Sequence, residues 1–468
     1  MKKSVTILIG LLYFSFLHAQ EVDFLFKHLS IEDGLSESTV HAIYQDSYGF
    51  MWFGTDAGLN KFDGYEFTLY QHDPLNANSL VSNFIVSVFE DSYGYFWVGS
   101  GYDGLNRIDR KKETIFTYTH HSDSSASLSS NYVRDIFEDS KNTLWIATAG
   151  GGISIYNREK DNFKQIRHDS SDATSLPSNY ISTIVEDKTG NIWMSSTEGF
   201  IISFNSIDST FKTIDVYKGY RGDLFNTTFC QLYVDSNNDI WFCTELGLFQ
   251  YKQANQAMKH YKEGPGLDDL NSNNVSSILE YQKDIYLIAT DHGGLNILNT
   301  KTGRIDKYLH NKFDDNSLSN NQLYTIYRSS DSIIWIGSFM GGMNYFDKKS
   351  YKFAQLQNLL KGKDKVNCCG SVSGIVEDKN GNIWLGYDGN GIEIFDPVKN
   401  KIVKRYNTTT TKEIGTDIIT SLYADSKEDI WIGTYLDGMY KFNWQTESFT
   451  HFINNPRDTL SIHGNNIW

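Results

Sequence analysis

Asp56, Tyr102 and Asp103, Glu198, Glu245, Asp291 and His292, and Phe339 and Met340 all fall at one recurring place in the chain, the turn that follows a Trp or Leu anchor. Carboxylates accept hydrogen bonds from hydroxyls, and aromatic rings present flat apolar faces. Side by side, these are the residue types that would hold a carbohydrate. They differ from copy to copy, and differences between otherwise repeated loops are where specificity can sit. For any single one, the alternative is an ordinary polar turn. His41, Arg134 and Tyr324 lie on the first strands of their copies and carry the same choice. The ligand-binding candidates are Asp56, Tyr102, Asp103, Arg134, Asp291, His292 and Phe339. Asn83, Asn131, Asn179, Asn273 and Asn321 repeat ahead of those strands, which makes them structural caps of the strand start.

Other chemistries find little support. The sequence shows no nucleophile elbow, no paired metal-binding histidines and no carboxylate pair that repeats or stands apart, so no catalytic residue, metal or cofactor is assigned. His120-His121 reads as a loop pair. Cys230 and Cys243 flank one turn and would lie on neighbouring strands, as a disulfide or as two small buried apolar residues. Adjacent Cys368 and Cys369 suit neither a disulfide nor a metal.

The elements that position these turns come from a repeat. The anchors are Trp52, Trp97, Trp145, Trp193, Trp241, Leu287, Trp335, Trp384 and Trp431, at intervals of 45, 48, 48, 48, 46, 48, 49 and 47 residues. A period in this range marks an array of one small unit. Each copy reads as four short strands. The first is apolar on both faces and ends at an Asp, for example Asp91 or Asp187; three residues on stands Gly94, Gly190 or a counterpart such as Asn142. Asp bonding its own backbone and Gly or Asn at positive φ predict a tight hairpin. The Trp strand, a Gly-rich turn, an alternating strand and a short aromatic strand follow. Four-stranded antiparallel units of this length pack as propeller blades, so the fold class is all-β, with helix minor. In copies six and seven Tyr281 and Ser329 replace the turn Asp, and Leu287 replaces the Trp, which affects local packing only.

The whole composition fits. An aromatic content of 15% with only 5 prolines suits packed sheets, and a net charge of −15 without a basic block argues against nucleic-acid contact. Lys2 and Lys3, the apolar run from Val5 to Leu17 and Ala19 read as a signal peptide over residues 1–19, which predicts export to the periplasm.

Propellers close with four to eight blades, so nine copies predict more than one ring. The stretch Phe24 to Leu29 is similar to other blade-ending strands and is expected to complete the blade of Trp335. Residues 20–357 then form a seven-bladed ring. Residues 358–468 supply two blades and the start of a third of an incomplete second propeller, and the sequence reads as truncated there. Two blades alone leave an open apolar sheet face, which favours association.

The pattern Glu-Asp-x-x-Gly-Asn-Ile-Trp-Leu-Gly, clearest at Glu377 to Gly386, followed by Gly-Gly-Leu-Asn, resembles the two-component regulator propeller repeat over roughly residues 22 to 468. The resemblance implies the periplasmic sensor of a hybrid two-component system. Such sensors carry two seven-bladed propellers, a β-sandwich and one membrane span ahead of kinase, receiver and DNA-binding domains. It further implies an oligosaccharide ligand, a membrane-anchored homodimeric parent, and control of polysaccharide-utilisation genes by a kinase and DNA-binding region outside this sequence. The chain itself then has no enzymatic activity. The alternatives are a protein-interaction propeller and a periplasmic propeller lyase or hydrolase.

Overall fold

The computed structural model describes residues 24–172, 174–205, 210–218, 230–347, 371–399, 401–411 and 413–468. The expected signal peptide, Cys368, Cys369 and the 357/358 boundary lie outside them. The chain divides into two compact units, residues 1–348 and 349–468.

The strands group into nine four-stranded antiparallel sheets, one per repeat. Blade 1 is typical, with Val40–Gln45 innermost, then Met51–Thr55, Gly58–Phe62 and Phe67–Tyr70 outermost. In the first unit each inner strand packs on the next, and that of blade 7 (Leu323–Arg328) packs on that of blade 1. Hydrophobic cores sit between blades. Trp52 and Leu59 meet Ile85 and Phe96 of blade 2, and at the junction Trp335 and Met343 of blade 7 meet Val40 and Phe53 of blade 1. Burial of large aromatic and branched side chains on both faces of each sheet of the first unit drives this stacking.

Closure is achieved as the sequence predicts, by a strand from before blade 1 that becomes the fourth strand of blade 7. The paired segment is shorter than expected: Lys27–Leu29 pairs with Met343–Tyr345, whereas Phe24 and Phe26 turn inward and pack on Phe346 at 4.6 and 5.5 Å. Two large rings are stabilised more by filling the core between blades 6 and 7 than by extending an edge.

Each blade is set by its hairpin. In blade 1 one carboxylate oxygen of Asp46 accepts the Tyr48 and Phe50 backbone N–H groups, both at 3.0 Å. The other accepts the Trp52 indole N–H at 2.8 Å. The same indole bond recurs at 2.8–2.9 Å for the Asp–Trp pairs of blades 2, 3, 4, 5, 8 and 9. Blade 7 substitutes Ser329 for the Asp and its hydroxyl accepts from Trp335 at 3.3 Å. Blade 6 lacks both partners, and Leu287 is fully buried in the anchor position. Adjacent hairpins are joined by a second bond. The Ser after the turn Asp donates its backbone N–H and hydroxyl to a Glu ending the next inner strand, as in Ser47–Glu90 (2.6 and 2.8 Å) and Ser92–Glu138 (2.7 and 3.0 Å). At the junction Ser330 N–H finds Gln45 instead, at 2.7 Å.

The second unit holds blades 8 (Val372–Glu377 innermost) and 9 (Ile419–Ala424 innermost), joined by a core around Trp384, Ile394 and Ile432. Val372 and Ile375 are 47% and 66% exposed, where their blade 1 counterparts Val40 and Ile43 are 0% and 7%. Trp431 is half-buried, whereas the other eight anchors are buried. Each of the two sheets therefore keeps one apolar face uncovered.

If the hairpin carboxylate and the indole it holds set the blade, Trp145→Ala should lower stability by about 3–5 kcal/mol. Asp139→Ala, which strands the buried indole N–H, should cost about 1–3 kcal/mol. Urea melts check both. A Trp145→Ala change within about 0.5 kcal/mol, the range of surface substitutions, would show the register to be wrong.

Candidate functional site

An inner strand runs from one end of the blade to the hairpin, and the Trp strand runs back. The loops ahead of inner strands and the turns after Trp strands therefore share one face, here the loop face, opposite the hairpin face. A bulge opens each fully described inner strand of the first unit, between Val40 and Ala42 in blade 1 and between Val133 and Asp135 in blade 3. The bulged residue is shifted out of register. In blade 6 it is Ser276, whose hydroxyl bonds Leu323 O of the next blade at 2.6 Å. In blade 4 it is Ser182, which accepts Cys230 N–H at 3.2 Å. Blades 7, 1, 2 and 3 place Tyr324, His41, Val86 and Arg134 there, giving up that small bridging hydroxyl for bulk.

These four blades carry a continuous arc of rings. Phe339 lies 5.8 Å from Tyr324, which stacks on His41 at 5.5 Å. His41 meets the Phe84 edge at 5.2 Å, Phe84 stacks on Tyr102 at 5.2 Å, and Tyr102 meets Tyr132 at 5.5 Å and 90°. The Phe84–Tyr102 stack depends on Gly101, because a Cβ there would lie 2.2 Å from the Phe84 ring. Tyr102 and Tyr132 are exposed, so ring faces remain open to a ligand.

Polar groups border the arc. His41 Nε2 lies 2.9 Å from Asp56 Oδ1. Asp291 accepts from Asn274 and Gln322, both at 3.0 Å, and lies 2.7 Å from His292 Nδ1. Burial pushes the Tyr324 phenol up, with Asp291 and Asp56 adding to the shift. The structure thus brings Asp56, Tyr102 and Phe339 onto or beside one arc, and Gln322 extends Asp291 and His292 toward it. Arg134 sits at the blade 3 end, where burial lowers the pKa of its guanidinium and nearby Tyr102 opposes that. Asp103 is exposed in the same turn as Tyr102. Glu198 and Glu245 occupy the turns of blades 4 and 5, outside the arc. Phe84, Tyr132 and Gln322 were missed by the sequence because they precede inner strands, where the repeated Asn draws attention. His292 and Met340 have left-handed φ of 66° and 54°, and so does Leu436 at the same place in blade 9 (65°), which makes this a property of the turn.

Several candidates are structural. The repeated Asn caps the preceding outer strand: Asn131 Oδ1 accepts His120 N–H at 2.6 Å, and His120 Nδ1 bonds Leu128 O. Cys230 and Cys243 are buried free thiols, and burial pushes Cys230 up to about 12. A cavity of about 920 Å³ opens on the hairpin face. Its carboxylates Asp46, Glu90, Asp91 and Glu138 are already committed to Trp, Ser or Arg partners. Among the described residues no group of three or more metal-binding side chains exists.

Residues 34–57, 79–102, 127–150, 175–198 and 368–389 match the two component regulator propeller family. The chain carries two-component regulator propeller repeats. Each match to the first four blades spans leading loop, inner strand, Trp strand and the start of the following turn, the same unit that builds hairpin and loop face. Over 75 residues, 15% of this chain and 6% of the relative, the repeats are 44% identical to a protein named Histidine kinase P4 from Formosa agariphila. The fold is similar to the extracellular domain of a protein named as a hybrid two component system from B. thetaiotaomicron (26% identity, TM-score 0.66, 93% of this chain and 55% of that one). A second extracellular domain from the same organism, named as part of a one component system, has 20% identity and TM-score 0.55, over 92% and 54%. Virginiamycin B lyase from Staphylococcus aureus (13%, TM-score 0.50, 69% and 99%) shares the fold alone. The chain thus spans about half the length of the extracellular domains it matches.

Asp135, next to Arg134, gives a testable consequence. Its carboxylate is enclosed between blades 3 and 4, accepting Ile136 and Ile184 N–H at 2.9 Å each. Burial raises it from 3.8 to about 7 against the lowering effect of those bonds. The folded carboxyl holds its proton more tightly than the unfolded one, so stability falls as pH rises from about 4 to about 7. Asp135→Ser, which installs the residue found at position 277 of blade 6, should flatten that slope and be more stable than the parent at pH 8. Melts across pH 4–8 that superimpose for the two proteins would contradict it.

Proposed function

We propose that this chain is the ligand-recognising propeller region of a hybrid two-component sensor, exported to the periplasm as part of a membrane-anchored homodimer. Its ligand is an oligosaccharide, held on the loop face of blades 7, 1, 2 and 3. Occupancy controls transcription of polysaccharide-utilisation genes through kinase and DNA-binding regions outside this sequence. The observation that supports this reading is the unbroken arc from Phe339 to Tyr132, bordered by Asp56, Asp103 and Asp291. Ring faces take the C–H faces of pyranoses, and fixed carboxylates accept hydroxyl protons. Built largely on strand starts of a closed ring, the arc is pre-organised, which lowers the cost of ordering on binding.

The His41–Asp56 pair is the feature that favours the enzyme alternative, since a carboxylate orients a proton-transferring imidazole in many catalytic sites. A sensor needs no turnover, so incubation with polysaccharides should release no product. The decisive test is calorimetric titration of the chain with a panel of oligosaccharides. At least one should bind, and Tyr102→Ala should weaken that binding by roughly 3- to 10-fold, the worth of one aromatic contact. Binding of the panel unchanged by Tyr102→Ala and Phe339→Ala together would move the site off the arc.

A further inference from the structure

Arg107, Arg110, Arg158, Arg304 and Arg405 each face a carboxylate. Arg167 and Arg328 donate to backbone carbonyls. Arg134 differs from all of them. It forms no hydrogen bond or ion pair with any described residue: its Nε is shielded, as in Arg107, Arg110 and Arg158, while the two terminal nitrogens of the fork stay open to solvent. A half-buried guanidinium with an unpaired fork is available to a counter-charge from outside the chain. No carboxylate among the described residues pairs with it: Asp103, exposed in the Tyr102 turn, makes no ion pair with Arg134, and the other two of the arc are engaged elsewhere. Asp56 is held by His41, and Asp291 by Asn274 and Gln322. The adjoining Asp135 points between blades 3 and 4 onto two backbone N–H groups. The surroundings of Arg134 are aromatic instead, with Tyr132 two residues before it and Tyr102 in the facing turn of blade 2.

The position adds a second argument. Arg134 is the bulged residue of blade 3, the place held by His41 and Tyr324 within the arc and by a bridging Ser in blades 4 and 6. An arginine whose fork is left open, at the end of a run of ring faces, is suited to a planar or tetrahedral anion on a ligand that also stacks.

We infer that Arg134 docks a carboxylate or sulfate of the bound saccharide, so that the ligand is an acidic glycan with its charged unit at the blade 3 end of the arc, beside Tyr102 and Tyr132. This rests on the oligosaccharide reading above and adds the ligand's charge and direction. On a chain of net charge −15 such a ligand is repelled at long range, so recognition depends on this local cation.

The test uses the full chain and four probes: a uronic-acid disaccharide, its carboxyl-reduced neutral counterpart, a sulfated disaccharide and inorganic sulfate. Calorimetry should show at least one acidic disaccharide binding roughly tenfold or more tighter than the neutral one. Which of the uronate and the sulfated sugar binds identifies the anion. Arg134→Met should bring the acidic sugar's affinity down to about that of the neutral one, while Arg134→Lys, which keeps the charge but loses the fork, should retain part of the preference. Arg134→Lys also covers the case in which Arg134→Met fails to fold. Equal binding of acidic and neutral sugars, with neither variant altering the ratio, would overturn the acidic ligand and leave the sensor reading standing. Inorganic sulfate binding as tightly as the sulfated sugar would overturn the role of the rings. Binding of none of the sugars would overturn both readings.

Discussion

In seven of the nine blades one carboxylate holds the hairpin in shape. An Asp at the end of the inner strand gathers two backbone N–H groups of its own hairpin and the indole N–H of a buried Trp, three donors that burial would otherwise leave unpaired. The contact fixes the turn, and the turn fixes how the Trp strand lies against its neighbour. The same Asp is also reached from the next blade, by Arg110 at Asp46, Arg158 at Asp91 and the Tyr286 hydroxyl at Asp235 (2.7 Å). Local turn and blade-to-blade contact thus share one group. Blade 6 supports the dependence by its exception. There both Asp and Trp are absent, and the Leu287 in the anchor position needs no hydrogen bond, whereas blade 7 keeps Trp335 and supplies the Ser329 hydroxyl as its acceptor.

This arrangement divides the two faces of the first unit. The hairpin face carries the repeated polar bonds, the Asp–Trp contacts and the Ser–Glu latches, and its residues have little freedom to change. The loop face is freed by it. There the bulged position of each inner strand can hold a bridging Ser, as in blades 4 and 6, or a large side chain, as in blades 7, 1 and 3. Specificity on such a face costs only small bridging bonds, while the strands beneath stay held from the other end. Recognition groups on strand starts of a latched ring are positioned more firmly than groups on loops alone.

Much of the fold was legible in the sequence because its determinants are local and repeated. The Trp spacing, the Asp and Gly or Asn of most hairpins and the likeness of Phe24 to Leu29 to other outer strands all survive translation into one dimension, although only Lys27–Leu29 of that stretch pairs. The Ser–Glu latch was not legible, since a Glu before the turn Asp looks like any solvated charge until the next blade is placed beside it. The binding candidates divide for the same reason. Asp56, Tyr102 and Phe339 could be picked out as departures from a repeat. That Phe84, Tyr132 and Gln322 join them depends on contacts across blades, and on bulges that displace one residue per strand. Arg134 was visible as a candidate, but its lack of a counter-ion is a property of the folded ring.

On this reading the loop face of blades 7, 1, 2 and 3 recognises ligand and the hairpin face does not. Hydrogen–deuterium exchange with and without a saturating oligosaccharide tests it most directly. Slowed exchange is expected to be confined to residues 38–42, 55–57, 84–86, 100–104, 131–135, 322–326 and 338–341, with the hairpins at 46–50 and 91–95 unchanged. Protection centred on those hairpins, or on blades 4 and 5, would contradict it.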